Sequence, residues 1–235
     1  YTSSIITILA LTISSVSAAD MLWNDFSLSY LKGNDYEVGD PKREVITLEH
    51  ASGHTWGDTF LFIDRLESES GDVEEYLEFS PRLSLGNLTS SDLSFGPVKD
   101  VFLAATWEKG EDFDNQLVGI GFSLDIPGFR YVNANIYKVR NDNQENDEQL
   151  TLSWAYPFSI GTGEFVYDGF LDWSTAHTGG ASEMNFTSQL KWNIGKLFDT
   201  QSPIYIGMEY VYWNNKYGIK DVDERNPNLI IKWHL

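Results

Sequence analysis

The sequence has no cysteine, little positive charge and, past its N-terminus, no long hydrophobic run. Without cysteine there are no disulfides, no thiolate nucleophile and no Cys-based zinc site. Sixteen Lys and Arg stand against 35 Asp and Glu among 235 residues, a formal net charge of −19. A nucleic-acid-binding surface needs a basic stripe that replaces counterions, and this balance argues against one. The absence of an apolar run of about 18 residues excludes a bundle of membrane-spanning helices. It leaves open a membrane β-barrel, whose polar lumen-facing half lowers any average; the mean hydropathy here is −0.29. The length suits one domain or two small ones, either able to bury a sizeable core.

What is present begins with a targeting segment. Ile5 to Ile13 is apolar but too short to cross a bilayer as a helix. Ser14 to Asp20 follows, with small residues where a signal peptidase reads: Val16 and Ala18 fit cleavage before Ala19, Ser17 and Ala19 fit cleavage before Asp20. Residues 1–19 are therefore expected to be a signal peptide lacking its charged start, and 20–235 the exported domain. A buried N-terminal strand or helix is the alternative reading.

After Asp20 helical periodicity is almost absent, and apolar and polar residues alternate with period two. Asp25 to Tyr30, Gln149 to Trp154, Glu183 to Trp192 and Asn228 to Leu235 show it most cleanly. The pattern predicts twelve strands, near 22–31, 43–51, 55–65, 75–85, 99–108, 116–125, 130–139, 148–156, 164–173, 183–194, 203–213 and 228–235. An even count puts both termini on one side, as in bacterial outer-membrane barrels. Connections after odd strands are mostly longer and acidic, as in 67–75 and 140–148, so most of the negative charge is expected on one rim. The connection from Gly86 to Pro97 is a long exception on the other side.

A soluble antiparallel barrel or sandwich alternates too. Three features favour an all-β, twelve-stranded antiparallel transmembrane β-barrel of the outer-membrane type. Tyr30, Trp154, Trp173, Trp192 and Trp233 lie near strand ends on the apolar parity, as an aromatic girdle requires. The strands exceed the usual soluble length of about 5–6 residues. The chain also ends within a strand whose final parity is apolar, although on Leu235 rather than the more usual Phe. Leu152, Phe186, Leu190 and Ile231 are expected to face lipid.

Glu78-Phe79-Ser80-Pro81-Arg82-Leu83-Ser84, followed by Leu88-Thr89-Ser90-Ser91-Asp92-Leu93-Ser94-Phe95-Gly96-Pro97, resembles the signature of the Tsx-type nucleoside-specific channel family, including its phage-receptor relatives in vibrios. Leu48-Glu49, Asp58 to Asp64, Val118 to Gly121 and Tyr217 to Asp221 are weaker echoes. The resemblance implies a monomeric twelve-stranded barrel in the outer membrane of a Gram-negative cell, set in lipid and lipopolysaccharide, without a cofactor. Within the block, Pro81 is expected to mark a bulge or a strand irregularity. Arg82 is expected in the lumen, held by acidic neighbours with Glu78 first. Asp92 to Pro97 is expected to be an ordered periplasmic turn.

A nucleoside offers a flat base that stacks on aromatics and a ribose whose hydroxyls need polar partners. Asp58, Phe60, Phe62 and Asp64 of the third strand share one parity. So do Asn133, Asn135 and Tyr137 of the seventh, and Asp168 and Phe170 of the ninth. With Glu78 and Arg82 these are the candidate solute contacts. In the alternative reading the rings only fill a narrow barrel, or face lipid after a register slip. Catalysis has little support: Ser52 and His54 fall in an expected periplasmic turn with no positioned acid, and His50 with His54 does not make a zinc pair on a strand. A passive channel for nucleosides is expected. A non-specific small-solute porin, or a non-conducting surface barrel serving as a phage receptor or interaction platform, is the alternative.

Overall fold

The computed structural model describes residues 21–235, so the expected signal segment lies outside the described residues. Twelve strands are found among them: β1 (Met21–Gly33), β2 (Arg43–His54), β3 (Gly57–Ser68), β4 (Val73–Ser84), β5 (Val98–Lys109), β6 (Asp114–Leu124), β7 (Tyr131–Arg140), β8 (Asp147–Ile160), β9 (Gly163–Ser174), β10 (Glu183–Asn193), β11 (Ile204–Asn214) and β12 (Glu224–His234). Each pairs antiparallel with its chain neighbours, and β1 closes on β12 with Leu28 opposite Trp233 and Leu31 opposite Ile230. Closure leaves no sheet edge, the condition for a sheet to stand in lipid.

The burial pattern separates this barrel from a soluble one. Along β12, Glu224, Asn226, Asn228 and Lys232 are buried while Leu229, Ile231 and Trp233 are exposed. Polar residues inside and apolar residues outside is the reverse of a water-soluble sheet, and it suits a hydrocarbon surround. The five girdle aromatics and the four expected lipid-facing residues all lie on this outward parity. Leu190 is 50% and Ile231 52% exposed, and Phe186 stacks on Trp154 at 5.4 Å. Leu190→Arg is therefore expected to destabilise the barrel in bilayers by about 2–4 kcal/mol, measured by reversible unfolding from liposomes. A variant as stable as the parent would reverse the parity.

Several boundaries and details differ from expectation. β12 begins at Glu224 rather than 228, because Asn226 and Asn228 bond each other through their side chains at 3.1 Å and Pro227 keeps its place opposite Tyr210. Of the two outcomes expected at Pro81, the strand shows the irregularity and not the bulge: the β4–β5 ladder lapses at Ser80 and Pro81, and the register is the same on both sides of the gap. The long connection after β4 opens with a short helix, α1 (Leu85–Thr89), whose first turn is capped by the Ser84 hydroxyl accepting from the Asn87 amide at 3.0 Å. Beyond it, Asp92 accepts from the Ser94 amide at 2.9 Å, and Phe95 and Val98 exchange backbone bonds around Gly96 at φ 54°. Ser94, hydroxyl first, holds the Asp92 carboxyl below its ordinary value. The acidic connections do open at the rim away from the termini. Many of the acids ascribed to them, such as Glu74, Glu108, Asp147 and Glu224, belong instead to strands longer than expected.

Candidate functional site

All eleven candidate solute contacts lie on the lumen-facing parity. Cross-strand partners share a face, and the β3–β4 register sets Asp58 opposite Arg82, Phe60 opposite Ser80, Phe62 opposite Glu78 and Asp64 opposite Tyr76. No register slip occurs, so Leu61 and Ile63 point outward. The result is an alternation of rings and carboxylates on two strands. Phe60 and Phe62 have centroids 5.9 Å apart, Phe62 and Tyr76 5.4 Å, and Tyr76 and Phe113 of the next rim connection 6.1 Å. These spacings are those of tilted aromatic contacts, and together the four rings run up one wall of the lumen.

The carboxylates beside the rings are held by neutral donors. The Thr47 hydroxyl donates to Asp64 at 2.5 Å, and the hydroxyls of Ser80 and Tyr76 donate to Glu78 at 2.8 and 3.4 Å. On the facing wall, Thr151 donates to Asp172 at 2.6 Å. Each carboxylate is thus oriented yet keeps lone pairs for a further donor.

Arg82 is where the expectation is corrected. It is buried in the lumen and does pair with an acid, but the acid is Asp58, which accepts from Nε at 2.8 Å and from Nη2 at 2.6 Å. This two-pronged geometry is the strong form of the contact. The guanidinium also lies over Phe102, its carbon 4.5 Å from the ring centroid. Glu78 makes no ion pair with it, being committed to Ser80 and Tyr76.

On β7 the Tyr137 hydroxyl accepts from Thr106 at 3.4 Å. Asn135 fits because its cross-strand partner is Gly121, where a Cβ would fall 2.5 Å from Asn135 Oδ1. That Oδ1 is buried and has no partner among the described residues. Asn133 stands opposite Ser123 and Ser153, and Phe170 opposite Ser153 and Thr187, away from the ring track. Asp168 accepts from Lys191 at 2.8 Å, so it holds a buried lysine, and its other oxygen is buried with no partner among the described residues.

Sequence reasoning passed over Tyr76, Lys191, Lys232 and Glu49. Lys232 pairs with Glu49, and Lys191 donates also to Gln189 at 2.6 Å. Parity alone placed each of them inside, and nothing in the sequence told them from other polar lumen positions.

Ser52 and His54 belong to β2, not to the turn, which is Thr55 and Trp56. They lie on the outward parity, with Ser52 Oγ 2.9 Å from His54 Nε2 and 2.7 Å from Thr59 Oγ1. His54 Nδ1 has no partner, acid or other, among the described residues, and Ser52 is 1% exposed. The pair is a closed hydroxyl–imidazole chain under Trp56, whose ring stacks on His54 at 4.7 Å.

A closed antiparallel barrel with a polar, ring-lined interior and an apolar exterior defines a porin-type channel protein of the outer membrane. The chain belongs to the family described as "Nucleoside-specific channel-forming protein, Tsx", which matches residues 18–232. It is 28% identical over 256 residues, 92% of each chain, to the outer membrane protein OmpK of Vibrio parahaemolyticus. It is 26% identical over 117 residues, 43% of this chain and 40% of the other, to the nucleoside-specific channel-forming protein Tsx of Escherichia coli O157:H7. Among solved structures, the KdgM porin superposes with a TM-score of 0.53 at 8% identity, covering 89% of this chain and 98% of that one. The NanC porin gives 0.52 at 10% identity, covering 91% and 100%. These two resemblances concern the fold alone.

Proposed function

We propose that the barrel is a passive channel for nucleosides, with the base stacking on Phe60, Phe62 and Tyr76 and the ribose hydroxyls donating to Asp64, Glu78 and their neighbours. The observation that carries this reading is the ring–carboxylate alternation on β3 and β4. A flat heterocycle beside a polyol needs that pairing, whereas a general porin needs no stacked rings. The family membership supports it, as does the similarity to a relative described as nucleoside-specific. Asn133, Asn135, Tyr137 and Phe170 face the same lumen away from the ring track and offer further contacts to a passing solute, while Arg82, Asp58 and Asp168 serve first to fix the wall. Binding must stay weak for solute to leave. Nucleosides carry no net charge, so stacking and hydrogen bonding supply the selectivity.

Planar-bilayer recording tests the reading. Adenosine or thymidine is expected to reduce the ion current saturably. Phe62→Ala is expected to weaken that block about tenfold, since stacking contributes roughly 1–3 kcal/mol per base, with little change in open conductance. Equal block by an unrelated sugar, untouched by the substitution, would favour the non-specific porin.

A further inference from the structure

At the rim away from the termini, two lumen carboxylates tie two connections into the barrel mouth, and a third is bonded to one of these. Glu224, at the start of β12, is 1% exposed and accepts from Lys216 Nζ at 2.5 Å and from the Glu37 amide at 2.9 Å. Glu183, at the start of β10, accepts from the Gly218 amide at 3.2 Å and from the Trp213 indole at 3.1 Å. The Asp35 amide reaches the side chain of Asn226 at 3.2 Å, and the Ala181 amide donates to the Gly218 carbonyl at 2.8 Å. Connections 34–42 and 215–223 are thereby bonded to lumen-facing residues at the mouth, and 175–182 to 215–223.

Lys216 is at the centre. A lysine in a rim connection ordinarily keeps its ammonium in water, but this one is 4% exposed. Its Nζ lies 4.7 Å from the Trp213 ring centroid, 5.1 Å from Tyr217 and 5.7 Å from Tyr36, within reach of cation–π attraction. Tyr36 enters the barrel over Gly33, where a Cβ would come within 2.9 Å of its ring. The segment pays for this in backbone conformation: Asn215, Tyr217 and Asp221 have φ of 48°, 60° and 63°. An aromatic residue in the left-handed region persists only where its surroundings over-determine it.

We propose that Lys216, clamped by Glu224 and caged by Tyr36, Trp213 and Tyr217, pins these connections into a clasp that sets the size of solute admitted at the outer mouth. The clasp acts at the entrance and is independent of which solute the ring track prefers. Breaking the ion pair leaves a buried charge alone and frees the connection to swing outward.

Two readouts test it on the whole protein. On intact cells, a membrane-impermeant amine-acylating reagent is expected to modify exposed Lys220 at least about tenfold faster than Lys216 in the parent, because Lys216 reacts only on local opening. In Glu224→Gln the two rates are expected to converge. In bilayers, Lys216→Met is expected to raise single-channel conductance about twofold and to admit larger neutral sugars, while Lys216→Arg and the rim variant Lys32→Met stay at the parent value. Lys216 as reactive as Lys220 in the parent, or Lys216→Met conducting as the parent does, overturns the clasp. Absence of current from every form would refute the channel reading instead, with the labelling rates still deciding the clasp.

Discussion

Arg82→Met is expected to cost the barrel about 3 kcal/mol of unfolding free energy, the low end of what breaking a buried ion pair costs. The guanidinium side chain is 9% exposed, and Asp58 28%, so the aspartate left behind is only partly rehydrated by lumen water. The two-pronged bond and the contact with the Phe102 ring are lost together. Much of the cost is the stranded carboxylate, not the worth of the pair. Asp58→Leu combined with Arg82→Met should therefore recover about half of it. Glu78→Gln should cost far less, because its partners are hydroxyls bonded to separate oxygens: one can donate to the amide oxygen while the other turns to accept from the amide NH2. Urea-driven unfolding from liposomes measures all three variants. A loss below about 1 kcal/mol for Arg82→Met would put the pair in the class of solvent-screened surface bridges.

The choice of Asp58 over Glu78 illustrates what the sequence holds and what it hides. Side-chain parity is a local property: residues two apart on a strand share a face, so the inward set on β3, β7 and β9 was legible from alternation alone. Pairing register is not local. Glu78 and Arg82 share a face yet stand four residues apart, about 13 Å along a strand. Asp58 is a hairpin away in sequence and directly opposite, at about 5 Å between Cβ atoms. The same gap hid the ring track, since Tyr76 meets Phe62 only through the β3–β4 register. It hid the Lys232–Glu49 pair as well, which forms only because β1 and β12 close the barrel. Strand ends were misjudged for another reason. Asn and Pro near Glu224, and Ser-Gly-His before Thr55, are turn formers in a water-soluble chain, but here a lumen or an outward hydroxyl chain supplies the partners that keep them extended.

The open channel is expected to pass potassium over chloride about fivefold, because the lumen holds fixed negative charge that no protein cation neutralises. Arg43 pairs with Glu74, Arg82 with Asp58, Lys191 with Asp168 and Lys232 with Glu49, so these lumen cations are already committed. Asp64, Glu78, Glu108 and Asp172 are left with hydroxyl and amide donors, and none has a cation partner among the described residues. Carboxylates sharing one lumen repel, and mobile cations drawn into it relieve that repulsion. Glu108→Gln with Asp172→Asn removes two of the four without touching the ring track. Reversal potentials in a potassium chloride gradient should then shift toward zero while nucleoside block is retained, separating charge selection from stacking. A parent reversal potential of the opposite sign would mean that Arg82, Lys191 and Lys232 dominate the field along the pore, their partners notwithstanding.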